Sequence, residues 1–369
     1  MKETNRRWVI KIGSALLTDL TSGLDSQIIA RLVGEVIELR ARGVDVVLVS
    51  SGSIVEGMQR LGWRERPREL HKLQAAAAVG QMGLVETYQR AFSEYGVQAA
   101  QVLLTDADLA DRGRYLNARS ALRTLIQLGT VPVVNENDSV VTQEIRFGDN
   151  DTLAALVANL IEAEYLLILT DQEGLYDQDP NSAGSAQLIR EGVAGDMLLE
   201  QYAGPGSKLG RGGMLTKLQA AGKAARSGAS TIILSGRHAG RLTEVLDGEI
   251  RGTLLKAESG RLTARKQWLA GRLRASGRLL LDSGAVKVLT KSGRSLLPVG
   301  VRAIEGTFER GALVDCVDET TGVVIARGLV NYSSDEAVRI IGQPSAKIEQ
   351  ILGYVDEPEL IHRDNIVIQ

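Results

Sequence analysis

The stretch Phe147–Asp171, FGDNDTLAALVANLIEAEYLLILTD, contains a helix pattern and a buried strand pattern in direct succession. From Asp151 onward the apolar residues recur at helical spacing, which predicts a helix over Asp151–Ala163. The following run, Tyr165–Thr170, is apolar on both faces, which is typical of a strand inside a parallel sheet. Asp149, Asn150 and Asp151 lie together at the start of this helix, although one of them would suffice as its N-cap. The stretch therefore predicts an α/β fold and a polar site at the start of a helix.

The same alternation of strand and helix patterns extends through the first two-thirds of the chain. It indicates an open, mainly parallel sheet with helices on both faces. The strands are predicted at Trp8–Ile12, Val44–Val49, Val97–Leu104, Val131–Val134, Tyr165–Thr170 and Thr231–Leu234. The helices are predicted at Ser26–Arg42, Leu70–Glu94, Arg114–Leu128, Asp151–Ala163 and Leu215–Ser227. In such a sheet the ligand binds at the carboxyl ends of the strands.

The character of the sequence changes near residue 260, where a basic segment precedes short strand and turn patterns. We predict a first domain over residues 1–260, a linker over 261–276 and a small, mostly β domain over 277–369. Two segments of the last domain, Gly277–Val301 and Gly311–Ser333, are interpreted as strand–turn–strand. This domain has 10 Lys+Arg against 13 Asp+Glu, and the resulting net charge of −3 disfavours binding to the phosphates of nucleic acid.

The composition is that of a soluble globular protein, with 44% apolar and 24% charged residues in a chain of 369. The formal net charge of −2 offers no basic field for nucleic acid or an anionic membrane. The single cysteine, Cys316, excludes an internal disulfide and is typical of a reducing compartment. With neither a signal-peptide pattern nor an apolar stretch long enough to span a membrane, we expect a cytoplasmic location.

Polar residues follow several of the predicted strands. Lys11 lies near the end of the first strand, and a Ser-Ser-Gly turn follows the second; alone, these indicate only a surface lysine and a common turn. The cluster Asn135–Asp138 after the fourth strand is denser than a turn requires, which favours a hydrogen-bonding site for a polar small molecule.

The glycine-rich segment Gly210–Lys217 adds a candidate phosphate site. Its glycines precede a helix whose first turn carries Thr216 and Lys217, so backbone N–H groups and an ammonium could bind phosphate oxygens. A flexible glycine hinge is the alternative, and neither a P-loop nor a GxGxxG pattern occurs. Lysines, glycines, carboxylates and amides at one sheet edge suit phosphoryl transfer to a small polar acceptor. A carboxylate acceptor would need no general base, because its pKa is about 4.

Six segments resemble, in chain order, the loops of the amino acid kinase family. They are VIKIGSALL (9–17), VSSGSIVEG (49–57), NENDSV (135–140), FGDNDTLAALVA (147–158), LTDQEGLYDQDP (169–180) and GRGGMLTK (210–217). Within that family the chain is most similar to the glutamate 5-kinases, and the C-terminal segments GRSLLPVGV, ARGLVNYSSDEAVRIIG and HRDNIV resemble a PUA domain. The resemblance implies ATP-dependent phosphorylation of the L-glutamate side-chain carboxylate to γ-glutamyl phosphate, the first step of proline biosynthesis.

The resemblance also implies roles for individual residues. Lys11 and Lys217 would flank the transferring phosphoryl group, and Asp151 would orient both lysines. Glutamate would contact Ser51, Asp138 and Asn150, with Asp149 helping to shape the pocket. The implied ATP-binding residues are Lys11, Thr170, Asp171, Arg211, Gly212, Gly213, Met214, Leu215, Thr216 and Lys217. Mg²⁺ would bridge the ATP phosphates, held by phosphate and water, so no protein ligand is assigned to it.

Other expectations follow from the same resemblance. Proline would act as a feedback inhibitor, the chain would form a homo-oligomer, and it would be functionally coupled to the reductase that consumes glutamyl phosphate. Arg211 and Leu215 stand where the family pattern often has Thr and Ser. Because both belong to the implied ATP-binding segment, the difference leaves the affinity for the nucleotide open. The alternatives are another kinase of the family, acting on N-acetylglutamate or uridylate, and an RNA-binding PUA protein.

Overall fold

The computed structural model describes residues 6–19, 23–141, 150–179, 186–203, 213–258 and 275–368. The chain forms two compact units. The first comprises Met1–Asp108 and Arg119–Ala264, and the second comprises Leu109–Ala118 and Arg265–Gln369. In the part of the chain that the structure describes, no helix has the length and apolar character needed to cross a membrane.

Within the described residues, the first unit contains an eight-stranded sheet and a separate two-stranded ribbon. The strands are β1 (Arg6–Ile12), β2 (Thr18–Asp19), β3 (Gly23–Leu24), β4 (Val44–Val49), β5 (Ala99–Leu104), β6 (Val131–Glu136), β7 (Tyr165–Thr170), β8 (Glu191–Val193), β9 (Ser230–Ser235) and β10 (Gly252–Lys256). The large sheet has the order β5-β6-β4-β1-β7-β9-β10-β8. Neighbours from β5 to β9 pair in parallel, β10 is antiparallel to β9, and β8 is parallel to β10.

Helices connect these strands, as a parallel sheet requires. Up to Lys256 the described helices are α1 (Ser14–Leu17), α2 (Ser26–Ala41), α3 (Ser53–Arg60), α4 (Leu70–Ser93), α5 (Asp106–Ala110), α6 (Arg112–Gln127), α7 (Asp151–Ile161), α8 (Met197–Glu200), α9 (Met214–Ala225) and α10 (Arg241–Leu246). The parallel sheet with interleaved helices confirms the predicted fold class, and the predicted strands are found with ends shifted by a few residues. Strands β8 and β10 were not predicted.

Lys11 lies inside this unit because of its position in the central strand β1. Ile10 and Ile12 belong to the core that the sheet forms with α2 and α4. Because successive side chains of a strand point to opposite faces, Lys11 between them points to the other face. Asp151 begins α7 there, and the next subsection shows that the two side chains meet.

Two glycines bring α3 and α4 into backbone contact. A Cβ atom on Gly57 would lie 1.7 Å from the carbonyl oxygen of Ala76, and one on Gly80 would lie 1.9 Å from that of Ser53. No side chain fits at either position, since real Cβ atoms do not approach other atoms so closely. The glycines therefore fix the start of α3, directly after β4, against the middle of α4.

The second unit contains, among its described residues, a five-stranded sheet in the order β12-β11-β13-β14-β15. Its strands are β11 (Gly277–Leu281), β12 (Val301–Glu305), β13 (Leu313–Asp318), β14 (Val324–Leu329) and β15 (Ile366–Ile368). The β11–β13 pair is parallel and the other pairs are antiparallel. The described α-helices after β11 are α11 (Ser283–Ser292), α12 (Ser334–Ile340) and α13 (Ile348–Leu352). Cys316 lies in the core of this unit, and burial raises the pKa of its thiol to about 12.

One prediction for the second unit is wrong. The segment Gly277–Val301 is not strand–turn–strand, because α11 lies between its strands. The residues interpreted as a turn are helix caps: Oδ1 of Asp282 accepts a hydrogen bond from the N–H of Ala285 at 2.8 Å, and Gly293 ends the helix in the left-handed conformation. Asp, Ser and Gly serve turns and helix ends equally well, so the sequence did not distinguish them. The segment Gly311–Ser333 does contain two paired strands, β13 and β14.

Candidate active site

Two lysines and one aspartate form a buried ionic cluster at the carboxyl edge of the large sheet. The Nζ of Lys11 lies 2.6 Å from Oδ1 of Asp151, and the Nζ of Lys217 lies 3.1 Å from Oδ2. Asp151 is 0% exposed, and the two lysines are 5% and 6% exposed. The hydroxyl of Thr216 adds a hydrogen bond of 3.0 Å to Oδ2. The three residues predicted as catalytic are therefore in direct contact.

The local sequence explains this arrangement. Lys11 is the penultimate residue of β1, Asp151 is the first residue of α7, and Lys217 lies in the first turns of α9. A buried carboxylate is stabilised by paired cations, but two ammonium groups share this one. Both ammonium groups lie at a place where several strands end. Such a cluster favours an anionic ligand.

The contacts of Asn150 explain why more than one polar residue lies at the start of α7. It occupies the N-cap position, yet its side chain makes no capping hydrogen bond. Instead its Nδ2 donates to the carbonyl oxygen of Ser50 at 2.5 Å and to Oδ1 of Asn135 at 2.7 Å, with Oγ of Ser51 at 3.3 Å. Asn150 and Asp151 therefore serve adjacent sites: the amide joins a neutral hydrogen-bond network and the carboxylate organises the lysines. Asp149, also implied by the resemblance, lies outside the described residues.

Ser50 is itself held by a second contact. Its Oγ lies 3.0 Å from the hydroxyl oxygen of Tyr88, and both residues are fully buried. Burial raises the pKa of the Tyr88 hydroxyl, so this group stays protonated and the hydrogen bond stays neutral. The carbonyl to which Asn150 donates is therefore fixed from both sides.

The turn from β4 into α3 gathers the residues predicted to bind glutamate. Gly52 has φ +105°, a left-handed conformation that turns the chain between Ser51 and Ser53. Ser51 contacts Asn150 as described above, while the hydroxyl of Ser53 donates to Oδ2 of Asp138 at 3.1 Å. Ser51, Asp138 and Asn150 thus meet around one turn, next to the lysine cluster. Their binding roles stay predictions.

The residues predicted to bind ATP are only partly brought together. Thr170 ends β7, the neighbour of β1, and Asp171 follows it; the Thr170 hydroxyl donates to the Asp171 carboxylate at 3.1 Å. The helix α9 begins after Gly213 without a side-chain cap, which leaves the N–H groups of its first turn for a ligand. Met214, Leu215, Thr216 and Lys217 form that start, whereas Arg211 and Gly212 lie outside the described residues.

Several residues of this region were not among the predicted site residues. They are Ser50, Ser53, Gln81, Tyr88 and Asn135. Asn135 donates through Nδ2 to Oε1 of Gln81 at 2.7 Å, and both are buried. Asn135 belongs to the polar cluster Asn135–Asp138, which was interpreted from the sequence as a hydrogen-bonding site without a separate role for Asn135. Gln81 is a single amide within the small-residue run AAAAVGQMG (75–83), and only the packing of α4 places it here.

Comparison with known proteins agrees with the fold and identifies the family. The model of the amino acid kinase family matches residues 6–235, and that of the PUA domain matches residues 277–352. The glutamate 5-kinase of Chromohalobacter salexigens is 61% identical over 363 residues, 98% of this chain and 96% of that protein. The glutamate 5-kinase of Thioalkalivibrio sulfidiphilus is 61% identical over 364 residues, 98% of this chain and 97% of that protein.

Among solved structures, the carbamate kinase from Giardia lamblia bound to AMP-PNP superposes with a TM-score of 0.50. The match has 18% sequence identity and covers 69% of this chain and 99% of that chain, so it supports the fold alone. The predicted family and the C-terminal PUA domain are both confirmed. The chain belongs to the amino acid kinase family, in the branch whose relatives are named glutamate 5-kinase, and it carries a PUA domain after the kinase domain.

Proposed function

We propose that this chain transfers the γ-phosphoryl group of ATP to the side-chain carboxylate of L-glutamate, giving γ-glutamyl phosphate and ADP. The observation that carries the proposal is the buried Lys11–Asp151–Lys217 cluster, with an amide and hydroxyl site directly beside it. The identity of 61% with relatives named glutamate 5-kinase supports the choice of acceptor over N-acetylglutamate or uridylate. An RNA-binding role is not favoured, because the match to kinases extends through the catalytic domain.

The lysine cluster suits the charge that moves during phosphoryl transfer. A carboxylate oxygen of glutamate attacks the γ-phosphorus, the bond to the β–γ bridging oxygen breaks, and ADP leaves with that electron pair. Lys11 and Lys217 balance the negative charge of the migrating group, and Asp151 holds both ammonium groups in place before ATP binds. The acceptor is already ionised at neutral pH because its pKa is about 4, so the step requires no general base.

The acceptor would lie between the lysine cluster and the turn at Gly52. Asp138 offers a carboxylate to the α-ammonium of glutamate, and Ser51 and Asn150 offer further hydrogen bonds at the same turn. These groups recognise a zwitterionic amino acid better than a nucleotide. An acceptor bound between these groups needs a free α-ammonium, which favours glutamate over N-acetylglutamate.

ATP would bind at the neighbouring strand ends. The N–H groups at the start of α9 and the ammonium of Lys217 suit phosphate oxygens, and the segment from Arg211 to Thr216 would complete the cradle with Thr170 and Asp171. Mg²⁺ would reach the site together with ATP, and no residue of this chain is assigned to hold it. When bound, the metal neutralises charge on the β- and γ-phosphates.

Several physiological properties belong to the same proposal. The reaction is the first step of proline biosynthesis, in the cytoplasm, and proline inhibits it by competing with glutamate. The chain acts as a homo-oligomer and delivers its labile acyl phosphate to the reductase that consumes it. Proline competition is measured as a rise in the apparent KM for glutamate at constant kcat.

An acceptor panel tests the proposal. The purified chain is given MgATP with free glutamate, N-acetylglutamate or UMP, and both ADP release and hydroxamate formation with hydroxylamine are followed. We expect turnover with free glutamate alone. Lys217→Met should lower kcat by about a hundredfold or more. The matched control is Lys223→Met on the same helix, whose ammonium contacts Thr152 rather than Asp151, and it should keep wild-type turnover. Turnover with N-acetylglutamate or UMP in place of glutamate would contradict the proposal.

A further inference from the structure

Three buried side-chain amides form a chain of hydrogen bonds that we name the amide relay: Gln81, Asn135 and Asn150. Nδ2 of Asn150 donates to Oδ1 of Asn135 at 2.7 Å, and Nδ2 of Asn135 donates to Oε1 of Gln81 at 2.7 Å. All three residues are at least nine-tenths buried. The relay joins α4, the end of β6 and the start of α7.

A backbone carbonyl sets the direction of the whole relay. The carbonyl oxygen of Ser50 can only accept, so the Asn150 amide must turn Nδ2 toward it, at 2.5 Å. The second N–H of this nitrogen then meets Oδ1 of Asn135, which turns the Asn135 Nδ2 toward Gln81. An amide flipped at any point would place two donors or two acceptors face to face. Each orientation is therefore dictated by its neighbour.

The relay determines which atom of Asn150 is left for a ligand. Nδ2 is occupied by Ser50 and Asn135, so Oδ1 is the atom of this amide outside the relay. An amide oxygen accepts hydrogen bonds, which suits an ammonium group and not a carboxylate. With the carboxylate of Asp138 on the same turn, the fixed orientation favours a substrate with an α-ammonium.

Gln81 contributes to the relay only through its oxygen. Within the described part of the chain, its buried Nε2 has no hydrogen-bond partner. A buried donor without a partner destabilises the folded state, and a methionine of similar size would avoid that cost. The hydrogen bond that Oε1 of Gln81 accepts from Asn135 therefore explains why this position holds an amide and not an apolar side chain.

We infer that Gln81 is a positioning residue for the acceptor substrate. Its Oε1 holds Asn135, and through it Asn150, in the orientation that accepts the α-ammonium of glutamate. This inference rests on the proposed function, since it assigns a cause to the choice of acceptor. Gln81 lies on α4, outside the loops that carry the predicted site residues.

Three variants and two ligands test the inference. Gln81→Met removes the acceptor, Gln81→Glu keeps an acceptor oxygen in either protonation state, and Gln89→Met changes a glutamine on the same helix that bonds instead to Ser93 and Ala99. Glutamate is measured as substrate. Glutarate, which has both carboxylates but no α-ammonium, is measured as a competitive inhibitor. Thermal melting reports whether each variant is folded.

The relay predicts a selective defect. In Gln81→Met the KM for glutamate should rise about tenfold. This is the effect expected when the hydrogen bond between the charged α-ammonium and Asn150 is lost. The glutarate inhibition constant, the KM for ATP and the melting temperature should stay at wild-type values. Gln81→Glu should restore most of the glutamate affinity, and Gln89→Met should behave as wild type.

Two results would overturn the inference: an unchanged KM for glutamate in Gln81→Met, or an equal weakening of glutarate, which would indicate a general packing defect. Failure of the proposed function is distinguishable from both, because the wild-type chain itself would then form no hydroxamate from glutamate.

Discussion

Replacement of Asp151 by asparagine probes the buried ionic cluster most sharply. The side chain keeps its size, but the carboxylate that contacts Lys11 at 2.6 Å and Lys217 at 3.1 Å becomes neutral. Two ammonium groups then lie close together with no anion between them, in a place where Asp151 is 0% exposed. Removing one partner of a buried ion pair costs about 3–5 kcal/mol. A typical unfolding free energy is about 5–15 kcal/mol, so the loss is large but leaves a folded protein to study.

The same variant should lose catalysis more than substrate binding. Without Asp151 the lysines are no longer held before ATP arrives, and loss of preorganised electrostatic groups lowers kcat by about 100- to 1,000-fold. The KM for glutamate should change far less. Sulfate should raise the melting temperature of Asp151→Asn more than that of the wild type, because an added anion replaces the missing negative charge.

Urea unfolding, melting with and without sulfate, and steady-state kinetics measure these effects. Asp25→Asn is the matched control: Asp25 also lies at a helix start, but its carboxylate accepts from the N–H groups of Gln27 and Ile28. Asparagine is an equally good N-cap, so this variant should remain near wild type. Wild-type stability and turnover in Asp151→Asn would refute the reasoning.

Two further predictions concern packing. Gly80→Ala should lower the unfolding free energy by about 1–3 kcal/mol or more in urea titrations, because a Cβ atom would lie 1.9 Å from the Ser53 carbonyl oxygen; unchanged stability would show that α3 and α4 can separate freely. Burial raises the pKa of the Cys316 thiol to about 12, so iodoacetamide at pH 8 should label it only after unfolding. Rapid labelling in native buffer would place Cys316 outside the core of the second unit.

The fold could be predicted from the sequence because the central strands of the large sheet are continuous apolar runs. Runs such as Tyr165–Thr170 are buried on both faces, which few other structures require. Short edge strands carry no such pattern: β8, Glu191–Val193, is partly exposed and was not predicted. The helix Ser283–Ser292 was missed because its caps use the residues of turns.

Those residues of the candidate site could be predicted whose charged side chains stand out from apolar neighbours in the sequence. Lys11 in an apolar strand and Asp151 at a helix start both require a partner, and the structure pairs them. Gln81 could not be found in this way. A glutamine in a helix is ordinary, and its role depends on a contact with Asn135 at the end of β6, a residue far away in sequence.

Oxygen transfer from acceptor to phosphate tests the central claim most directly. Glutamate carrying ¹⁸O in its side-chain carboxylate is incubated with the chain, MgATP and hydroxylamine, and the released phosphate is examined by ³¹P NMR. If the carboxylate attacks the γ-phosphorus, hydroxylamine displaces phosphate from the acyl carbon, and each phosphate retains one ¹⁸O from glutamate. We expect this isotope shift in the wild-type chain, with its rate lowered in Lys217→Met. Phosphate released without ¹⁸O would contradict the proposed transfer to glutamate.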